Sequence, residues 1–358
     1  MPAAVLFTAT RRARRTWLAA FGSLIVVSIV ALAAVAGETG DADRRLNPNV
    51  RPSFQGVTLK LDPATDDYSG RVIIELDISE TTSEIFLHAQ DMAIQSAALR
   101  NDNGSFETTF SHEDPFLTVK SQSALAAGHY TLELDFESPF NTQAVGLYRM
   151  EQDETGYAFT QFEAADARKA FPCFDEPGFK FPWQLTIAVP DGQVAVTNTP
   201  IAKESVRNGW RRFEFMTTKP LPTYLIAIAA GPLTQTPIPG MSVPGTIWTV
   251  KGQENLTQLG ATMSPPILAA MEEYFRMPYP YRKLDLIAIP EYWPGAMEHP
   301  GAVTFASTIL CVDPEAASMG QRRTLARVIA HEFAHMWFGN LVTMTWWEDL
   351  WLNESFAD

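Results

Sequence analysis

The stretch QRRTLARVIAHEFAHMWFGN, residues 321–340, decides how the second half of the chain is read. Leu325, Val328, Ile329, Phe333 and Met336 recur at the spacing of one helical face, and Gly339-Asn340 supplies a stop, so a helix is predicted. Inside it stands His331-Glu332-Phe333-Ala334-His335. Side chains four positions apart project from one helical face. Both imidazoles can therefore reach one tetrahedral zinc ion, while Glu332 lies beside them without being needed as a ligand. A third donor follows after 18 intervening residues, Glu354 in TWWEDLWLNESFAD (345–358), where Thr345 and Glu348 have capping-box spacing and could open a second helix. Two histidines and one glutamate leave the fourth position for water, which is the catalytic rather than the structural arrangement. With six histidines in the chain, a chance match to this pattern is expected about once in a hundred such sequences.

Upstream the pattern changes period. VTLKLD (57–62), RVIIELDI (71–78), YTLELDF (130–136), WQLTIAV (183–189) and RRFEFM (211–216) alternate apolar and polar residues between Gly, Pro, Asn and Asp turns, which predicts a mostly antiparallel β-domain. GPLTQTPIPG (231–240) is dense in breakers, so a domain boundary is placed there, with a β-domain over 51–236 and a second, more helical domain over 237–358. Residues 37–50 read as a polar linker. Residues 1–36 read as an export signal: Arg11, Arg12, Arg14 and Arg15 precede an apolar run from Trp17 to Ala36 that ends in Ala34-Val35-Ala36. That run fits a cleaved signal peptide and is also long enough for an uncleaved membrane anchor. Either way the expected location is periplasmic, extracellular or on the outer face of the cytoplasmic membrane.

Composition narrows the partners. Hydrophobic residues make up 46% of the 358 positions and charged residues 19%, which excludes a disordered or coiled-coil chain. Residues 1–36 hold four arginines and no acid, so residues 37–358 carry 23 bases against 41 acids, or −18. Nucleic acid is thereby excluded as the expected partner. Two cysteines, Cys173 and Cys311, provide neither a disulfide scaffold nor a Cys-rich metal site and are expected as free thiols. His88, His112 and His129 are expected to be structural, and Trp337, Phe338, Trp346, Trp347 and Trp351 to be core rather than a ligand box.

Taken together these residues resemble the M1 family of zinc aminopeptidases. HEFAH, the 18-residue spacer and Glu354 match its metal motif, and Gly295-Ala296-Met297-Glu298-His299 stands where the family has its GxMEN exopeptidase signature. WFGNLVTMTWW (337–347), DLWLNE (349–354), YPYRKLDLIAIP (279–290) and TQFEAADARKAFPCFDEP (160–177) resemble further family segments. The resemblance implies a multidomain α+β fold, with a saddle-like antiparallel β-sandwich packed on a thermolysin-like metallopeptidase domain. It implies one zinc ion on His331, His335 and Glu354, and peptide hydrolysis by a zinc-bound water that Glu332 activates. It also implies that Glu298 and Glu163 hold the free α-ammonium of the substrate, beside a strip formed by Gly295, Ala296 and Met297. Physically, carboxylates fixed beside a metal can measure a compact cation and so place the first peptide carbonyl over the zinc.

His299 replaces the usual asparagine; it reads either as a harmless variant at a packing position or as an imidazole that brings a pH dependence an amide would not. Asp358, one turn after Glu354, is either an acceptor for a zinc histidine or a frayed acid. In the family the oxyanion tyrosine and a large helical domain lie downstream of the last residue given. The resemblance therefore implies that residues 1–358 carry the recognition parts but are catalytically crippled on their own. Two other readings stay open. One is a leukotriene A4 hydrolase-like bifunctional epoxide hydrolase and aminopeptidase, against which Glu163 counts because that branch tends to have glutamine. The other is a pseudo-peptidase scaffold, against which the intact base and metal motif count.

Overall fold

The computed structural model describes residues 45–357. The leader reading of residues 1–36 and the role weighed for Asp358 lie outside the described residues. From Leu46 onward the chain forms one unit by its contacts. No helix among the described residues is long and apolar enough to cross a membrane.

All five predicted strands enter one eight-stranded sheet. Its order is Ile201–Arg207, Trp210–Phe215, Trp183–Pro190, Val50–Lys60, Asp67–Ile78, Gly128–Pro139, Ala93–Asn101 and Gly104–Phe106. The two-residue period works as expected: Val57, Leu59 and Leu61, Val72, Ile74 and Leu76, and Leu132, Leu134 and Phe136 all turn inward and are buried. Val57 stands opposite Val72 in an antiparallel pair and opposite Leu185 in a parallel one, the parallel pair in an otherwise antiparallel sheet. The strand Ile201–Arg207 is exposed along its whole length, and IAKESVR carries no alternation that could have disclosed it. A four-stranded sheet (Val194–Thr197, Ile228–Gly231, Thr155–Gln161, Gly146–Gln152) and a three-stranded one (Thr82–His88, Phe116–Leu125, Thr108–Glu113) complete this half. Phe159, Phe162, Phe171, Phe181 and Trp183 fill the shared core, and burying each such ring stabilises by about 1.5–3 kcal/mol.

The second half contains a five-stranded sheet in addition to its helices. Its order is Thr234–Pro237, Thr246–Thr249, Asp285–Ile289, Ala302–Ala306 and Ala296–Met297. The middle three run parallel. Asp285–Ile289 is buried at every position, as expected of a parallel strand covered on both faces. The helices Gln258–Phe275 and Met319–Ala334 pack together, and Phe275 stacks on Trp337 at 4.8 Å between ring centroids. The molecule is thus α+β, a mostly β N-terminal half followed by a half that combines a five-stranded sheet with helices.

Local details differ from the sequence reading. The histidine helix, Met319–Ala334, is opened by a capping box at Ser318, whose hydroxyl accepts from the Gln321 N–H at 3.2 Å while the Gln321 side chain accepts from the Ser318 N–H at 3.0 Å. Thr345 and Glu348 form no such box: Trp346, with extended backbone, precedes a single 3₁₀ turn at Trp347–Asp349, and the glutamate helix follows at Trp351–Ala357. Thr345 stays outside that turn, its carbonyl 3.0 Å from where a Cβ on Gly178 would stand. The core reading of the aromatic cluster holds for Trp337, 3% exposed, but Trp346 and Trp347 are only half-buried and Trp351 is 58% exposed.

Candidate active site

The histidine helix ends five residues before Gly339, yet the pair geometry survives. His335, the residue after the last turn, keeps helical backbone angles, and its N–H still donates to the His331 carbonyl at 3.3 Å. The two Nε2 atoms consequently converge to 3.1 Å. Glu354 brings Oε2 to 3.5 Å from His331 Nε2 and 3.9 Å from His335 Nε2. One donor atom from each residue lies within 4.8 Å of the other two. Two zinc–nitrogen bonds of about 2.0–2.1 Å at a tetrahedral angle would hold their nitrogens about 3.3 Å apart, so the trio fits a zinc ion. His335 Nδ1 lies 3.2 Å from the Phe338 carbonyl and can donate to it, which leaves Nε2 free of its proton and turned to the site.

Around this trio the structure gathers acids. Glu332 and Glu298 are each 4% exposed, and Glu332 Oε2 and Glu298 Oε1 have no hydrogen-bond partner among the described residues. Glu298 Oε1 stands 4.0 Å from His335 Nδ1. Glu163, half-buried, approaches from the β-domain immediately after the strand Thr155–Gln161. Burial pushes Glu298 up to about 8, helped by the charge of Glu354. Burial likewise pushes Glu163 well above the usual carboxylate range, with Glu298 and Glu354 adding to the rise. Glu332 is raised by burial, pulled down by His331, and raised further by Glu298, Glu354 and Glu163. Burial works against the charged form of His331, but the hydrogen bond to Glu354 and the surrounding carboxylates raise it to about 9. A bound cation would relieve the cost of gathering these carboxylates, and the hydrogen-bond-free oxygens of Glu298 and Glu332 are available to one.

Gly295, Ala296, Met297 and Glu298 lie where the sequence reading expects a slim strip. Ala296 and Met297 pair with Phe305 and Thr304 as the terminal strand of the five-stranded sheet. The Gly295 carbonyl accepts from the Ala306 N–H at 2.6 Å. His299 takes the packing alternative: it is fully buried, and burial lowers its pKa to about 3, so it stays neutral near neutrality instead of adding a titration there. Its Nδ1 is 3.3 Å from the Thr304 hydroxyl, which donates to Tyr292 at 3.0 Å, and the Tyr292 hydroxyl in turn makes a very short contact with Gln161.

Several site-building residues went unnoticed in the sequence. Asn340 donates from Nδ2 to the Glu298 carbonyl at 2.7 Å, tying the turn after His335 to the acidic strip. Lys180, from the β-domain, donates to the carbonyls of Asn340 (2.7 Å) and Leu341 (2.9 Å) and to the Thr343 hydroxyl (2.9 Å). Asn198 donates to the Pro300 carbonyl at 3.0 Å and to the Leu225 carbonyl at 2.8 Å. WFGN and FDEP were visible as parts of family segments, but the partners their neighbours reach across the chain were not.

Cys173 and Cys311 are free thiols, the first buried and the second partly so. His88 is buried and accepts from the Asp175 N–H, His129 pairs with Asp77, and His112 with Asp114, all structural as expected.

Comparison with known proteins agrees with this geometry. Residues 51–225 match the Peptidase M1 N-terminal domain and residues 260–358 match the Peptidase family M1 domain. The chain therefore belongs to peptidase family M1. It is 36% identical over 332 residues to Aminopeptidase M1-B of Oryza sativa subsp. japonica, covering 90% of this chain and 38% of that protein. It is 35% identical over 328 residues to glutamyl aminopeptidase of Rattus norvegicus, covering 87% and 35%. It is 37% identical over 323 residues to puromycin-sensitive aminopeptidase of Caenorhabditis elegans, covering 86% and 34%. The chain spans little more than a third of the length of these relatives.

Proposed function

We propose that this chain is the recognition and metal-binding portion of a zinc aminopeptidase that removes N-terminal residues from peptides. The observation that carries the reading is the convergence of His331, His335 and Glu354 within 4.8 Å beside the unpaired buried oxygens of Glu332 and Glu298. The named activities of the relatives, all aminopeptidases, support it. Zinc bound by the trio supplies Lewis-acid polarisation of a water and of the scissile carbonyl. Glu332 accepts the proton of the attacking water at Oε2 and returns it to the departing amine nitrogen, a role open to a buried carboxylate oxygen that no other group occupies. Glu298 and Glu163 bind the substrate's α-ammonium, which relieves the repulsion between them and fixes how far the peptide enters. The terminal strand Ala296–Met297 leaves one edge unpaired, along which a short extended peptide can align.

The test is a pair of kcat/KM series on one peptide with a free and with an N-acetylated terminus, using the full natural protein. An acetylated terminus leaves buried carboxylates unpaired, at several kcal/mol, so the free peptide should react at least about 10³-fold faster. Equal rates would refute amine recognition. Export also belongs to this proposal: the basic and apolar pattern of residues 1–36 supports secretion or anchoring. Cell fractionation checks it, and a protein confined to the cytoplasm would count against it.

A further inference from the structure

Tyr224 lies in the β-domain, in the 3₁₀ turn Thr223–Leu225 that precedes the strand Ile228–Gly231, yet its hydroxyl reaches the metal-binding half. The ring is fully buried and lies edge-on to Trp347 at 5.3 Å. The hydroxyl donates to the Gly339 carbonyl at 3.4 Å and accepts from Asn353 Nδ2 at 3.1 Å. Gly339 stands four residues after His335, and Asn353 immediately precedes Glu354. One oxygen atom therefore joins the two segments that carry the second and third metal ligands.

The packing at that junction leaves no slack. Gly339 has φ +119, and a Cβ there would stand 3.1 Å from His335 Nδ1 and 3.4 Å from the Asn353 amide atoms. The His335 imidazole and the Asn353 amide thus both flank Gly339 closely. Burial, with the charges of Glu298 and Glu163 adding to it, drives the Tyr224 pKa far up, so the group remains a hydroxyl that can donate. Asn353 is fully buried, its Oδ1 is unpaired among the described residues, and its side-chain amide donates to Tyr224. Glu354 itself sits in a helix of seven residues, too short to fix its own reach.

We propose that Tyr224 is a positioning residue for the metal site, setting the distance between His335 and Glu354 through its shared hydrogen bonds to Gly339 and Asn353. The inference rests on the zinc reading above. Partners that orient metal ligands commonly contribute 10- to 100-fold to metal affinity. The replacement Tyr224→Phe keeps the ring and its contact with Trp347 and removes only the shared oxygen.

The experiment measures zinc dissociation constants by chelator competition in the full natural protein, together with urea unfolding of the metal-free forms. Tyr224→Phe should weaken zinc about 10- to 100-fold, while its metal-free unfolding midpoint should shift no more than that of Tyr68→Phe. Tyr68 supplies the control because its buried hydroxyl donates to Ala170 at 2.7 Å. Asn353→Ala should weaken zinc comparably, and the double variant should be no worse than the weaker single, since both remove one shared bond. Zinc affinity unchanged in Tyr224→Phe, or fully additive losses in the double variant, would overturn the positioning role. If the unsubstituted protein binds zinc and His335→Ala does not, that failure belongs to Tyr224 alone. If the unsubstituted protein binds no zinc, the metal reading and this inference fall together.

Discussion

At Gly301 the two halves of the molecule approach too closely for any side chain, and this yields the sharpest prediction. Gly301 has φ +75, and a Cβ placed on it would stand 2.1 Å from the Asn198 carbonyl oxygen and 3.3 Å from the Lys283 carbonyl oxygen. Ordinary contact begins near 3.4 Å, so Gly301→Ala requires a backbone displacement of more than 1 Å. Neither side can easily give. Asn198 is held by its side-chain bonds to Leu225, Pro300 and the Ala227 N–H, and the Gly301 N–H donates to the Tyr279 hydroxyl at 3.2 Å. The left-handed backbone costs a side chain about 1–2 kcal/mol, and overpacking adds about 1–3 kcal/mol, so a destabilisation of about 2–5 kcal/mol is expected.

A second glycine separates the two contributions. Gly192 has φ +90 and nothing within 4 Å of its would-be Cβ, so Gly192→Ala incurs the backbone cost without the clash. Urea unfolding followed by tryptophan fluorescence should place Gly301→Ala at least about 1 kcal/mol below Gly192→Ala. Glu298 lies three residues from Gly301, and misplacing a substrate anchor by about 1 Å can cost about 10²-fold. Gly301→Ala should therefore also lower kcat/KM for free-amine peptides, and Gly192→Ala should not. Equal stability of the two variants would refute the close approach, and with it the argument that the halves are locked at this point.

Three further outcomes are expected in the full natural protein. His335→Ala should lose the bound zinc on dialysis, measured as metal per chain; full retention would sink the ligand assignment. Glu332→Gln should keep zinc but lose about 10²–10⁴ in kcat, and near-normal turnover would refute its role as base. Glu298→Ala should lower kcat/KM for free-amine peptides with little change in zinc content, narrowing the gap to acetylated peptides; an unchanged ratio would exclude it as the amine anchor.

The legible parts of this molecule are those whose signal is local. Strands such as Asp67–Ile78 and Gly128–Pro139 announce themselves because alternate residues face a core, and HEFAH does so because helix geometry alone brings His331 and His335 together. The five-stranded sheet of residues 234–306 was missed because its buried strands are short apolar runs of four or five residues, without a period to count. The Thr345 box failed because capping spacing is easily matched by chance, and the residue that precedes the short turn is Trp346, in extended backbone and without a side-chain cap. His299 stayed open between packing and titration for a related reason. Its identity suggested titration, but titration depends on solvent, and complete burial cannot be seen in Glu-His-Pro.

The resemblance already implied that the candidate site draws on both domains, through Glu163 and Glu298; what the sequence could least disclose is which residues fasten the seam. Glu163, Lys180 and Tyr224 come from the β-domain, while Glu298, the histidines and Glu354 come from the second half. The seam is polar where it touches the site: Lys180 caps the turn after His335, Asn340 passes that constraint to the Glu298 carbonyl, and Tyr224 ties Gly339 to Asn353. Buried hydrogen bonds have strict geometry and are costly to leave unmade, so they specify one docking of the halves where an apolar seam would tolerate slippage. That requirement follows from the chemistry proposed for the cleft. Carboxylates that must meet an ammonium on one side and a metal on the other are gathered where burial disfavours their charged forms and neighbouring carboxylates add to that cost, as the raised pKa values of Glu163, Glu298 and Glu332 show. Groups brought together against that cost need fixed contacts from elsewhere in the fold, and the Lys180 and Tyr224 bonds supply them across the seam.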